Sequence, residues 1–153
     1  MLKEKLQSDL KDAMRAKDAE RVSTLRMVWA AIGNWEIEQR GKGRTDAPTD
    51  EEIVGLLRKE SKKRREAATA FHAGNREELA GKEEREAAII EAYLPAQLSE
   101  NAIRQKLAAL VAGGATTIGA LMKEGMKEFR GSADAGTVSR IAKELLSDGN
   151  SGN

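Results

Sequence analysis

His72 is the only histidine in this chain, and there is no cysteine. Nucleophilic or acid–base chemistry would therefore fall to that one imidazole, to carboxylates, to lysines or to hydroxyls. His72 stands between Phe71 and Gly74, in the last turn of an expected helix, where an imidazolium complements the negative end of the helix dipole. That placement accounts for it without catalysis. The acids that follow, Glu83, Glu84 and Glu86 among them, lack the Glu-x-x-His pairs with which a helical bundle holds two irons, and they read as solvated. Gly41-Lys-Gly-Arg has the composition of a phosphate loop, but no strand precedes it and no Gly-Lys-Ser/Thr follows, so it reads as a turn. Gly113-Gly114 likewise reads as helix termination. These residues assign no catalytic group, no metal ligand, no cofactor and no small-molecule substrate.

Binding to a polyanion is the chemistry the basic residues offer. Arg58, Lys62 and Arg65 step by four and three along a helix and share a face, with Lys59 and Lys63 beside them. Glu60, Glu66 and the acids of the next helix could instead neutralise that run as an ordinary solvated face. Lys123, Lys127 and Arg130 repeat the spacing further on, with Arg140 and Lys143 on the following helix and Glu124 and Glu128 interleaved. Solvated and RNA-binding readings both fit there. The whole chain has 26 basic and 25 acidic residues, a net charge of +1 that identifies no nucleic-acid binder by itself. Residues 99–147 carry seven basic side chains against five acids and are the net-positive part.

The elements that must hold these groups are helices. Aromatics make up 3% of residues, charged residues 33% and prolines only two, the balance of charged amphipathic helices, so the expected fold class is all-α. Leu2, Leu6, Leu10 and Met14 form the stripe of a first helix. Asp18 caps a second, in which Val22, Leu25, Trp29 and Ile32 face inward and which fades at Gln39–Gly43 into an expected mobile loop reaching Pro48. Thr49 and Glu52 make a capping box for a long third helix released at Gly74, and a fourth runs from Arg76 to Tyr93. Trp29, Phe71, Tyr93 and Phe129 read as core, whereas Trp35 lies beyond the main stripe, beside the loop.

Pro95 cuts the chain. An elongated N-terminal helical domain of about four helices is expected over 1–94, and a small three-helix domain over 95–147. The latter's helices are capped by Ser99, Thr117 and Asp134, and the first two end at Gly113-Gly114 and Gly131. Residues 148–153 are expected to be disordered. The absence of cysteine and of an apolar leader or spanning segment points to the cytoplasm and away from a membrane.

Tyr93-Leu-Pro-Ala-Gln-Leu-Ser-Glu resembles the signature joining the two helical parts of the GatB/YqeY family. Asp9-Leu-Lys-Asp-Ala-Met-Arg-Ala, Thr24-Leu-Arg, Asp50-Glu-Glu-Ile, Ile118-Gly-Ala-Leu-Met-Lys and Gly131-Ser-Ala-Asp-Ala-Gly-Thr-Val extend the likeness, in order, over nearly the whole chain. The resemblance implies a stand-alone YqeY-like protein whose second domain is similar to the tail of GatB, a subunit of tRNA-dependent amidotransferase, held to grip tRNA away from the catalytic cradle. There is no room here for that cradle, so a glutamine-dependent carbon–nitrogen ligase label would apply by association only. Where the family often places arginine and asparagine near the Gly131 turn, this chain has Ser132 and Ser139, which removes a bidentate phosphate donor. The expected function is a non-catalytic module that binds tRNA or a tRNA-handling complex through Lys123, Lys127, Arg130, Arg140 and Lys143, with Arg58, Lys62 and Arg65 as a second basic face. The alternative is an adaptor docking on an enzyme complex through its N-terminal helices and Trp35.

Overall fold

The computed structural model describes residues 1–129 and 131–150, and every regular element among them is a helix. The order is α1 (Leu2–Arg15), α2 (Ala19–Gly41), α3 (Asp50–Ala73), α4 (Glu77–Glu91), α5 (Glu100–Ala112), α6 (Ile118–Phe129) and α7 (Ala135–Asn150). The expected caps close the starts of α2, α3, α5, α6 and α7. Asp18, Ser99, Thr117 and Asp134 accept the backbone N–H three residues on, at 3.1–3.2 Å. Thr49 and Glu52 form the reciprocal box, at 3.2 and 2.8 Å. Each such cap contributes about 1 kcal/mol, enough to fix where a short helix begins.

The chain divides into two compact units, Met1–Leu94 and Pro95–Asn153. In the first, Leu6 and Ala13 of α1, Leu25, Val28 and Ile32 of α2, Ile53 and Leu57 of α3 and Ile90 of α4 form one core. Only three residues join α3 to α4, a connection short enough for an antiparallel return, and these two helices make the most extensive pairing among the described residues. Asn75 turns that corner at φ 57°, a left-handed conformation that asparagine tolerates better than most residues.

In the second unit Ile103 and Leu107 of α5, Leu121 and Phe129 of α6, and Val138, Ile141 and Ala142 of α7 are buried together. Gly125 permits the close approach of α5 and α6: a Cβ there would lie 2.9 Å from Leu107 Cδ2. After α6, Gly131 adopts φ 85° and the chain reverses. The Ser132 hydroxyl donates to the Phe129 carbonyl at 2.5 Å, while the Ser132 carbonyl accepts the Leu98 N–H at 2.8 Å.

Two segments expected to be mobile or disordered carry defined contacts or helix in part. The segment after α2 is pinned: Arg44 donates two hydrogen bonds to Glu52, at 2.6 and 3.0 Å, and stacks 5.1 Å from the Trp35 ring centroid. Pro48 is buried. The third helix's capping acid thus doubles as the loop's anchor. At the other end α7 continues through Asp148 to Asn150, because each added residue of an established helix contributes a backbone hydrogen bond without new nucleation. Residues 151–153 lie outside the described residues.

Candidate functional site

Packing decides which cations of the second unit reach solvent. Leu121, Gly125 and Phe129 turn inward on α6, so Lys123 and Lys127, each two positions along, emerge on the opposite face one turn apart. Both are exposed. Lys127 lies 3.6 Å from Glu124 at the surface, and Lys123 makes no ion pair among the described residues. Arg130 is outside the described residues.

On α7, Val138, Ile141 and Ala142 are buried, leaving Arg140 and Lys143 exposed. Their situations differ. Arg140 pairs with Glu100 of α5 and with Glu144, at 3.2 Å for the latter, and Arg104 of α5 reaches the same Glu144 at 2.5 Å. Arg104 first, then Arg140, holds the Glu144 carboxyl below its ordinary range. Arg140 is therefore part of a clasp between α5 and α7. Lys143 makes no ion pair among the described residues and joins Lys123 and Lys127 as a presented ammonium. Ser132, the departure noted beside the Gly131 turn, spends its hydroxyl on the turn after α6.

The second basic face does not assemble as one free surface. The guanidinium nitrogens of Arg58 are buried. Arg65 is forked onto Glu91 at 2.9 and 2.6 Å, and Glu91 also accepts the Ser61 hydroxyl at 2.7 Å; Arg65, then Ser61, keeps this carboxyl low against the effect of burial. Of the expected trio only Lys62 stays exposed with no ion pair among the described residues. The reason is the antiparallel return: α4 lays its acids along the basic middle of α3. Arg64 lies 3.6, 3.4 and 3.8 Å from Glu60, Glu83 and Glu86.

The glutamates of α4 are accordingly not all solvated. Glu86 is 4% exposed, and its carboxyl is pushed up by burial and by Glu83, against the opposing Arg64 and Lys82. His72 is bracketed, Nδ1 by Glu77 at 2.5 Å and Nε2 by Glu84 at 2.6 Å. Only the imidazolium can donate from both ring nitrogens, and Glu84, followed by Glu77, raises its pKa. The carboxylates hold this histidine more directly than the helix end does. Among the described residues no group of three or more metal-ligating side chains could hold an ion, and no helix is long and apolar enough to cross a membrane.

Sequence reasoning missed one constellation. Tyr93 donates to Asp9 at 2.5 Å, Arg21 lies 3.8 Å from the same carboxylate, and the Lys5 ammonium sits 5.5 Å from the Tyr93 ring centroid. Asp9 and Tyr93 each fall in a segment that carried the family resemblance, yet nothing in either segment announces its partner.

Fold and surface together define an all-helical, two-unit protein that presents lysines on its second unit. The family model described as "Yqey-like protein" matches residues 3–146, and the chain belongs to that YqeY-like family. Among curated proteins it is similar to "Altered inheritance of mitochondria protein 41, mitochondrial" of Vanderwaltozyma polyspora, 38% identical over 58% of this chain and 46% of the relative. The protein of the same name from Eremothecium gossypii is 37% identical over 60% of this chain and 48% of its own length. That from Pyrenophora tritici-repentis is 28% identical over 93% of this chain and 79% of its own. The chain spans about half the length of the first two relatives. These names overturn the cytoplasmic expectation, since the relatives are mitochondrial by name. Lack of cysteine does not separate one reducing interior from another, and mitochondrial targeting uses basic amphipathic segments instead of an apolar leader.

Proposed function

We propose that this chain is an accessory module, non-catalytic by itself, that binds tRNA through the lysines of its second unit. The observation that carries the reading is the contrast in charge between the units. In the first, α4 acids take up Arg64 and Arg65 of the α3 basic run, leaving Lys59 and Lys62 exposed; in the second, Lys123, Lys127 and Lys143 all stand exposed, and among the described residues Lys127 alone of the three has an ion pair, with Glu124. The likeness of this unit to the GatB tail supports RNA as the polyanion. Lysines act on phosphate as point charges without a planar fork, so recognition is led by backbone and shape and weakens steeply with salt. Arg140 contributes less than its sequence position suggests, being held by Glu100 and Glu144.

Filter binding of total tRNA at low and moderate salt tests this. Retention at low salt, reduced about tenfold or more by Lys123→Glu with Lys127→Glu and accompanied by a shallower salt dependence, is expected. No retention at either salt, or binding indifferent to the double reversal, rejects it. The adaptor alternative rests on the amphipathic length of α2 to α4 and on Trp35, and the second of these is weakened because Arg44 lies over the indole. Pull-down with and without ribonuclease separates the two: an RNA-mediated association vanishes and a direct docking persists.

A further inference from the structure

A pocket of about 470 Å³ opens in the first unit, lined by Lys5 and Asp9 of α1, Asp18 and Arg21 at the start of α2, Ala88 and Ile89 of α4, and Ala92 and Tyr93 just beyond it. Its formal charges cancel, but its unused hydrogen-bonding capacity does not. Asp18 already accepts the Arg21 backbone N–H as the α2 cap, and Asp9 already accepts the Tyr93 hydroxyl. The donors are less occupied. The Lys5 ammonium lies over the Tyr93 ring, with no ion pair among the described residues, and the Arg21 guanidinium stands 3.8 Å from Asp9 and also interacts with the Tyr93 hydroxyl. A guanidinium has five N–H donors and an ammonium three, so both keep several for an incoming acceptor. Tyr93, Ala88, Ile89 and Ala92 supply an apolar wall, the combination by which small-molecule pockets take a ligand's body while a few polar groups fix its orientation.

We infer that this pocket binds a small organic anion, a carboxylate or phosphate oxyanion carried on a compact apolar body. The oxyanion sits between Lys5 and the fork of Arg21, and the apolar part lies against the Tyr93 ring and Ile89. Asp9 serves to orient Arg21. This site is in the other unit from the proposed RNA-binding lysines, and its existence does not depend on them.

Tyr93 is the sole tyrosine, so protein carrying ¹³C-labelled tyrosine reports the pocket through one ring signal. Titrating with benzoate and phenyl phosphate, and separately with benzyl alcohol and benzylamine, distinguishes the oxyanion from the ring that carries it. A saturable shift with at least one oxyanion is expected, with markedly weaker binding of alcohol and amine. Arg21→Gln and Lys5→Gln weaken the oxyanion about tenfold each, and Lys11→Gln, on the same helix outside the pocket, leaves it unchanged. Lys5 makes no ion pair among the described residues, so its variant keeps the test intact even where loss of Arg21 disturbs folding. No saturable shift with either oxyanion, equal binding of alcohol or amine, or oxyanion binding indifferent to Lys5→Gln overturns the proposal.

Discussion

The Tyr93 hydroxyl and the Asp9 carboxylate, 84 positions apart in the chain, share a 2.5 Å hydrogen bond that ties the end of the first unit to its first helix. Burial, then the Asp9 carboxylate, raises the phenol's pKa above its ordinary 10, with Arg21 opposing. A raised folded-state value means that the contribution is complete below pH 10 and lost as pH climbs through the folded pKa. In ultraviolet titration this single tyrosine should ionise later than free tyrosine, and Tyr93→Phe should destabilise the protein by about 1 kcal/mol at neutral pH. Ionisation at the ordinary value would remove this account.

The clamp on His72 runs on the same sign at a lower pH. Glu84 and Glu77 raise the imidazole above 6.5, so its stabilisation is complete below that value and disappears as pH rises through the folded pKa. Thermal melts of the wild type and His72→Gln should differ most in mildly acidic buffer and converge in alkaline buffer. A gap of constant size across that range would show that the carboxylate contacts do not matter in solution.

Arg44 makes the segment after α2 a fixed cover over Trp35. Arg44→Ala, in a Trp29→Phe background that leaves one indole, should increase acrylamide quenching of Trp35. Glu52 shows the opposite pH dependence to His72. Arg44 first, then the Thr49 N–H, lowers its carboxyl to about 2, so its contribution is complete above 4.5 and lost as pH falls through about 2. The Arg44→Ala protein should therefore begin acid unfolding at higher pH than the wild type. Unchanged quenching would mean that the ring is not covered.

Gly125 tests the tightness of the second unit. Valine there would drive methyl groups into Leu107, which is fully buried, and crowd Phe129 and Val138. Destabilisation of about 2–3 kcal/mol in urea unfolding is expected. Gly125→Ala should cost less, since a better helix former regains about 1 kcal/mol. A valine variant as stable as the wild type would contradict the packing of α5 against α6.

Helix positions were legible because each is written locally. Asp18, Thr49, Ser99, Thr117 and Asp134 lie within a turn of the N–H groups they satisfy, and Leu25, Val28 and Ile32 repeat at the helical period. The site was less legible because its outcome depends on distant partners. Arg58 and Arg65 look alike as sequence, yet one has its guanidinium buried and the other is forked onto Glu91 of the next helix. Arg140 and Lys143 differ only in which acids α5 and α7 place beside them. Glu86 carries nothing that marks it as the buried member of its run. Asp9 and Tyr93 become a pair only once the helices between them have folded back.

The return of α3 into α4 across Gly74–Arg76 also bears on the entropy of closing the first unit. Helices that neighbour each other in sequence meet without closing a long loop, so α3 with α4, and α1 with α2, can pair early and rapidly. The Asp9–Tyr93 bond spans nearly the whole unit and so carries a larger closure entropy than those local pairings. The pocket it lines therefore exists only where the first helix of the unit and the chain beyond its fourth have been brought together.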